Sequence, residues 1–397
     1  MKFDLAEIPR LLTDSTVASF SRAAVDAIFV SSARPLTTAL EEAPADRADL
    51  SPLRAAAFAS SMQGLSCRLA RLPDLSTLPE ALSEHILSEA ERTTARGLRI
   101  VELLRDVLAL LTSAGAEVVP LKGAALILRG DVEPSLRPMG DLDLLLLDSS
   151  RISMAAETLE RKTHYRRLFS TPRHLVLGEK EERVPYPAME DPGNPLRIEL
   201  HRCFRLRVLG VHLDATEDLK RLAERSSAGA LILPRDVMFR HLWHHAAEDF
   251  AARGLRGIQA IDFLDMARRD GPVAVALDRR DARGAAPLLY VTDGIERVFP
   301  GTFDRASLVG LSWRVPRALR ERAWQLSILR HTRSTRGWTK TCLTLAPGMI
   351  SKARFLARTA FPTLGEVKAN FAPGASGLRL ALAWFRVLVR RARGLLP

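Results

Sequence analysis

Two aspartates separated by one residue stand at the start of a leucine run in GDLDLLLL, residues 140–147. The run is too short for a free helix and predicts a buried β-strand, along which Asp141 and Asp143 point to the same side. Two carboxylates this close repel each other unless a cation lies between them. Hard divalent cations prefer oxygen ligands, so the pair predicts a metal site, with Mg²⁺ as the expected ion.

A third acid, Glu199, lies between two apolar residues in RIELH, residues 197–201, which also predicts a strand. If that strand neighbours the first, Glu199 completes a three-carboxylate metal site. The alternative is an acid on an edge strand that pairs with Arg197 or Arg202. His201 shares the predicted face of Glu199, where it either contacts a bound ligand or a metal-bound acid, or makes a structural hydrogen bond.

The segment EVVPLKG, residues 117–123, predicts a short strand and a tight turn, and AALILRG after it predicts one or two helical turns. Backbone N–H groups at the start of a helix bind phosphate, so Gly123 marks a candidate phosphate-binding turn. Lys122 adds a point charge for a triphosphate, and Arg137 adds a guanidinium that can clamp a phosphate.

Apolar periodicity indicates that helices surround these strands. Residues up to about 85 predict several short helices, residues 82–115 a long helix, and residues 234–270 two packed helices. Further strands are predicted in RHLVLGE and in PLRIELHRCF. The predicted fold is α+β, a small mixed β-sheet flanked by helices, with a helical N-terminal cap and a mostly helical C-terminal half. The predicted divisions are a cap at 1–87, a core at 88–215, a helical domain forming the other wall of the cleft at 216–330, and a basic helical segment at 331–397.

The composition bounds the class of protein. A net charge of +12 over 397 residues favours anionic partners such as nucleotides, nucleic acid or an acidic membrane surface. Three scattered cysteines argue against a disulfide framework and fit a reducing compartment. The N-terminus lacks the apolar core of a signal peptide, and no apolar run approaches the ~20 residues of a membrane span. We therefore expect a cytoplasmic protein.

The C-terminal segment GLRLALAWFRVLVRRARGLLP, residues 377–397, combines five arginines with apolar Leu382, Phe385 and Val389 at helical spacing, and it contains no acid. A basic amphipathic helix of this kind can lie on an anionic membrane surface, here at the periphery of the inner membrane. The alternative is a helix that docks its apolar face on the body of the protein.

Three histidines, His241, His244 and His245, stand close together on one predicted helix. With neither an HExxH motif nor a cysteine partner, packed and hydrogen-bonded histidines are a better interpretation than a zinc site. His245 could still line the cleft, with Asp262 nearby.

Three segments together, PLKGAALILRG, LRPMGDLDLLL and RIELH, resemble the bacterial uncharacterised nucleotidyltransferase family, within the DNA polymerase β-like nucleotidyltransferase superfamily. The segment LWHHAAEDFAARGLRGIQAIDFLDMAR is similar to the family's helical segment, though more weakly. The resemblance covers about residues 90–270.

The resemblance implies an enzyme in which a hydroxyl attacks the α-phosphate of an NTP, ATP among them, and pyrophosphate leaves. It implies that Asp141 and Asp143 hold two Mg²⁺ ions, with Mn²⁺ as a substitute, and that Glu199 helps to bind the second ion and activates the hydroxyl. The nucleotide-binding residues that it implies are Lys122, Gly123, Arg137, Gly140 and His201. Ala124 replaces the superfamily's usual Ser or Gly, and the spacing from Gly123 to Asp141 is longer than usual. Both departures leave open a weakened or altered activity.

Three interpretations of the function follow. The favoured acceptor is a small molecule or a peptide hydroxyl in a biosynthetic pathway. The basic charge also fits RNA, the substrate of an RNA-directed or toxin-type nucleotidyltransferase. A catalytically inactive nucleotide-binding scaffold, attached to a membrane through the C-terminal helix, is the interpretation from another class.

Overall fold

The computed structural model describes residues 23–24, 26–41, 64–179, 195–208, 211–226, 229–253, 257–274, 285–308, 343, 348–361, 367 and 376–395. Their α-helices are α1 (Arg34–Glu41), α2 (Leu65–Leu69), α3 (Glu80–Ser113), α4 (Lys122–Arg129), α5 (Ile152–Lys162), α6 (Thr216–Leu222), α7 (Arg235–Arg253), α8 (Gly257–Asp270), α9 (Ala285–Val298), α10 (Arg305–Leu308), α11 (Gly348–Ala360) and α12 (Gly377–Leu395). Their strands are β1 (Val118–Pro120), β2 (Asp141–Leu146), β3 (Arg166–Ser170), β4 (His174–Gly178), β5 (Arg197–His201), β6 (Arg205–Val208), β7 (Val211–Asp214), β8 (Glu224–Arg225) and β9 (Leu231–Ile232).

One mixed sheet organises the centre of the molecule, with the strand order β1-β2-β5-β4-β3. Strands β2 and β5 run parallel, and every other neighbouring pair is antiparallel. The predicted α+β fold, with a small mixed sheet flanked by helices, is confirmed. Strand β5 lies inside the sheet, so the alternative that places Glu199 on an edge strand is wrong.

The two faces of the sheet have different environments because side chains alternate along each strand. Leu142, Leu144 and Leu146 of β2 point to one face, where they pack with Leu104 and Val107 of α3 in a buried cluster. The opposite face carries the acidic side chains of β2 and β5. Hydrophobic packing on one side therefore fixes which side the acids occupy.

The predicted long helix is confirmed as α3, which ends before Gly115, a residue in the left-handed region with φ 75°. Helical spacing brings Arg96 and Gly97 to its buried side, whereas Leu98 is 58% exposed. A Cβ on Gly97 would lie 2.5 Å from the carbonyl oxygen of Pro134, and Arg96 Nε donates to the carbonyl of Met139 at 3.1 Å. The helix thus holds the loop that leads into β2.

The two helices predicted from residues 234–270 are confirmed as α7 and α8. They pack with α9 in a cluster that includes Trp243 and Phe263, and the Trp243 indole donates to the carbonyl of Leu288 at 3.0 Å. Among the described helices, none combines the length and the apolar character that crossing a membrane requires. The division into four segments remains a prediction, and parts of it, including residues 1–22 and 309–342, lie outside the described residues.

Candidate active site

The parallel pairing of β2 with β5 sets Asp143 directly opposite Glu199. Asp143 is 3% exposed, and the Glu199 side chain is partly open to solvent. One ligand atom from each of Asp143, Glu199 and His201 lies within 4.8 Å of the others. Two strands that are separated by 50 residues of chain therefore build one group of donors that could hold a metal ion.

His201 links the two acids of this group. Its Nε2 atom lies 2.8 Å from Asp143 Oδ1 and 3.6 Å from Glu199 Oε2. Because the ring is buried, its hydrogen bond to Asp143 is shielded from water and fixes the orientation of that carboxylate.

Lys122 supplies a positive charge at the same carboxylate. Its Nζ atom lies 2.7 Å from Asp143 Oδ1. The backbone of Lys122 adopts a left-handed conformation, with φ 51°, and its N–H donates to His241 Nε2 at 3.2 Å. A non-glycine residue in this conformation is strained, so the contact with His241 helps to hold the turn that directs the amine toward Asp143.

The charges of the site shift the pKa values of its members. Burial alone would lower the pKa of the Lys122 amine, but the neighbouring carboxylates, Asp143 first, raise it above its ordinary value. Burial alone would raise the pKa of Asp143, but Lys122 and His201 hold it well below its usual range. These two groups are therefore both ionised at neutral pH.

Glu199 behaves differently. Burial, together with the charges of Asp143 and Asp141, raises the pKa of its carboxyl to about 7. A carboxyl with such a pKa can take up and release a proton near neutral pH, which is the requirement for a general base.

Asp141 stands at the exposed start of β2, on the same face as Asp143. It does not belong to the group of donors that Asp143, Glu199 and His201 form. The carbonyl of Gly140 accepts a hydrogen bond from the Arg197 backbone at 3.0 Å, which ties the start of β2 to β5. The structure thus brings two of the three predicted carboxylates together with His201 and leaves the third at the rim.

Arg137 is engaged by a partner that the sequence did not point to. Its Nε and Nη2 atoms donate to Asp262 at 2.7 and 3.2 Å, and both side chains are buried. A small cavity between the start of α4 and helices α7 and α8 is lined by this pair, Lys122 and His245. In this conformation Arg137 neutralises Asp262 and does not present its guanidinium to a phosphate.

Gly123 is needed for packing. A Cβ at this position would lie 2.3 Å from Met139 Sδ and 3.3 Å from Arg137 Cζ. The absence of a side chain lets the loop before β2 approach the first turn of α4, next to Lys122. Ala124 follows as a buried residue of that helix.

The histidines of α7 serve in packing. His241 accepts the Lys122 N–H, and its ring lies against Phe204 with centroids 4.3 Å apart. Within the described residues, none of the three belongs to the group of possible metal ligands formed by Asp143, Glu199 and His201. The role of His241 at Lys122 was missed, because the two residues are 119 positions apart and no local pattern connects them.

Of three comparisons with known proteins, one found a match, to a protein family. No curated protein and no solved structure shows significant similarity to the chain. A family model described as uncharacterised nucleotidyltransferase matches residues 51–280, more than half of the chain and the whole of the site. The resemblance seen in the sequence is thereby confirmed, and the chain belongs to the uncharacterised nucleotidyltransferase family.

Proposed function

We propose that the protein is a metal-dependent nucleotidyltransferase that moves an NMP group from an NTP to a hydroxyl acceptor. The observation that carries the proposal is the pairing of Asp143 with Glu199 across β2 and β5, with His201 and Lys122 in contact with Asp143. Family membership supports a nucleotide as the donor.

The donor set fits a divalent ion. Asp143, Glu199 and His201 would hold it, and Asp141 is a further carboxylate on the same face. When bound, such an ion supplies neutralisation of the phosphate charge and of the leaving oxygen. Mg²⁺ favours oxygen donors and Mn²⁺ also accepts imidazole, so we propose that both ions support the activity.

Phosphate binding and proton transfer are proposed for residues of the protein itself. Lys122 keeps a permanent positive charge beside the position of the phosphates, and the start of α4 offers backbone N–H groups. Glu199 takes the proton of the attacking hydroxyl. Arg137 would join in holding phosphate once its pairing with Asp262 opens.

A labelling experiment tests the function. The protein is incubated with each α-³²P NTP, with Mg²⁺ or Mn²⁺ and host extract, and pyrophosphate release and label transfer are measured. Asp143→Asn is expected to abolish both, whereas Asp106→Asn, the same change at an exposed position of α3, leaves them unchanged. Equal release by the wild type and Asp143→Asn contradicts catalysis, and NTP binding without turnover identifies a scaffold.

The acceptor that we favour is a small molecule or a peptide hydroxyl. RNA is the competing acceptor, and it predicts a steep loss of RNA binding as salt is raised. The two kinds of acceptor are distinguished by a filter-binding titration of RNA between about 50 and 200 mM salt, the range over which protein–phosphate contacts weaken steeply.

We also propose that the protein works in the cytoplasm, at an anionic membrane surface. On α12, Leu378, Leu382 and Phe385 are 76%, 51% and 58% exposed, and Arg379 and Arg386 flank them. Apolar side chains with arginines at their edge suit the boundary between headgroups and acyl chains. Binding of the full chain to vesicles tests this, as described below.

A further inference from the structure

An apolar shelf continues the acidic face of the sheet toward its edge. We define it as Leu168 and Phe169 of β3 with His174 and Val176 of β4. Val176 lies opposite Glu199 and Phe169 lies opposite Val176, so these side chains share the face that carries the site.

A β-bulge adds Leu168 to the same face. The register of β3 against β4 shifts between Arg167 and Phe169, and a bulge places two successive side chains on one side. A Cβ on Gly178 would lie 2.6 Å from Leu168 Cδ1. Because Gly178 pairs with Arg197 on the acidic face, the missing side chain makes the room that Leu168 occupies.

A row of aromatic rings leads from the shelf to Asp143. The Phe169 and His174 centroids are 6.0 Å apart, those of His174 and His201 are 5.5 Å apart, and His201 contacts Asp143. Leu168 and Phe169 are each 40% exposed, so their apolar surfaces can be reached.

The order of the strands relates the shelf to the direction of the reaction. Lys122 follows β1, on one side of β2, whereas β5, β4 and β3 extend on the other side. In phosphoryl transfer the attacking and leaving oxygens lie roughly in line on opposite sides of phosphorus. If pyrophosphate leaves toward Lys122, the hydroxyl approaches from the side of Glu199 and the shelf.

The spacing suits a small acceptor. Neighbouring strands lie about 4.8 Å apart, which puts β4 about 10 Å and β3 about 14 Å from β2. Val176 lies between Glu199 and Phe169 and is buried, so the apolar surface that an acceptor can reach is that of Leu168 and Phe169, about two strand spacings from Glu199. Leu168, Phe169 and Val176 offer no cation to a long anionic acceptor.

We propose that the shelf binds an apolar or aromatic group of the acceptor, next to the hydroxyl that is nucleotidylated. This inference rests on the proposed function. The acceptor oxygen forms a bond to the α-phosphorus as the bond to pyrophosphate breaks, the pyrophosphate keeps the electron pair, and the hydroxyl proton passes to Glu199. The acceptor class is therefore a neutral alcohol or phenol with an apolar neighbour to its hydroxyl.

A binding experiment on the full chain tests the shelf without requiring turnover. Benzyl alcohol is titrated and observed by saturation-transfer NMR, with glycerol as the hydroxyl probe that lacks a ring. Leu168→Ala/Phe169→Ala is expected to weaken benzyl alcohol binding roughly fivefold or more, since loss of an aromatic contact has this size. Leu98→Ala, at an exposed leucine of α3, is the matched control and leaves binding unchanged.

The donor site gives the second readout. Binding of the Mg²⁺ complex of α,β-methylene-ATP, measured by calorimetry, is expected to be equal in the wild type and the double variant, and circular dichroism checks the fold of each. Equal benzyl alcohol binding in both proteins overturns the proposal. Weakened nucleotide binding overturns it too, because the shelf then holds the donor base. No NMP transfer by a wild type that retains the binding difference contradicts the proposed function and leaves the shelf intact.

Discussion

The Lys122 amine lies 2.7 Å from Asp143 Oδ1, the same oxygen that His201 contacts at 2.8 Å. The central carboxylate of the site therefore has a cation built into the protein. A divalent ion at Asp143 shares the carboxylate with Lys122, either through Oδ2 or through the oxygen that the amine contacts. The charge proposed to bind phosphate and the carboxylate proposed to bind metal are therefore in direct contact.

We expect Lys122→Met to destabilise the metal-free protein by about 3 kcal/mol, because it leaves a buried carboxylate without its cation. The same change removes the competitor for the metal, so Mn²⁺ should restore stability more in the variant than in the wild type. Urea denaturation with and without Mn²⁺ measures both effects. Lys162→Met, at an exposed position of α5, is the control. An equal response to Mn²⁺ in the two variants would show that Lys122 and the metal do not share a carboxylate.

Asp143→Asn should reduce the affinity for Mn²⁺ by at least about tenfold. Loss of a residue that only hydrogen-bonds a metal ligand already costs about this much, and Asp143 is proposed as a ligand itself. Asp141→Asn should reduce it less, because Asp141 lies outside the group of donors. Calorimetric titration of each purified variant gives the two affinities. A greater loss with Asp141→Asn would assign Asp141 to the primary metal ligands and reverse the order that the geometry indicates.

Gly123→Ala should destabilise the protein by about 1–3 kcal/mol, the usual cost of an overpacked position. The new methyl group would collide with Met139 Sδ. Shortening that side chain with Met139→Ala should therefore absorb part of the effect, and the double variant should be less destabilised than the sum of the single variants. A double-mutant cycle by urea denaturation measures the coupling, and strict additivity would mean that Gly123 is needed for another reason.

Arg137→Ala should cost about 3–5 kcal/mol of stability, since it strands Asp262 without a partner in the interior. Arg137→Ala/Asp262→Ala removes that stranded charge and should recover much of the loss. Binding of α,β-methylene-ATP to the double variant then decides the role of Arg137. Wild-type affinity indicates a structural arginine, and a persistent loss of tenfold or more, about 1.4 kcal/mol, indicates a phosphate ligand.

Leu382→Ser/Phe385→Ser should release the protein from vesicles of phosphatidylglycerol while leaving NTP binding unchanged. Both side chains are exposed on α12, so the substitutions remove membrane contacts without opening a core. Cosedimentation with anionic and with zwitterionic vesicles measures the effect. Leu87→Ser/Leu98→Ser, at exposed leucines of α3, is the matched control. Equal sedimentation of the two double variants rules out α12 as the attachment site.

Local pattern was enough to predict the strands that carry the acids. Leu144 and Leu146 after Asp143, and Ile198 and Leu200 beside Glu199, are buried in one cluster with α3. This burial decides which way the acids point. Strand β3 was missed because all five of its residues are exposed and its sequence lacks an apolar alternation. Leu98 of α3 is exposed despite its apolar character, since Arg96 and Gly97 occupy the buried side.

Contacts between distant segments could not be read from the sequence. The pairing of Arg137 with Asp262 spans 125 positions, and the contact of Lys122 with His241 spans 119. In the sequence, an arginine or lysine near a predicted phosphate site looks the same whether its side chain is free to bind phosphate or paired with an acid of the protein. The contacts of α7 with Lys122 and of α8 with Arg137 show that both residues are paired.

Three buried arginines converge on the loop that precedes Asp141. Arg96 donates to the carbonyl of Met139, Arg68 donates to the carbonyl of Leu136, and Arg137 pairs with Asp262 of α8. The loop is thereby fastened to α3, α2 and α8 before any ligand arrives. The entropic cost of ordering this loop is met during folding, so a ligand that binds at Asp141 and Asp143 does not have to meet it.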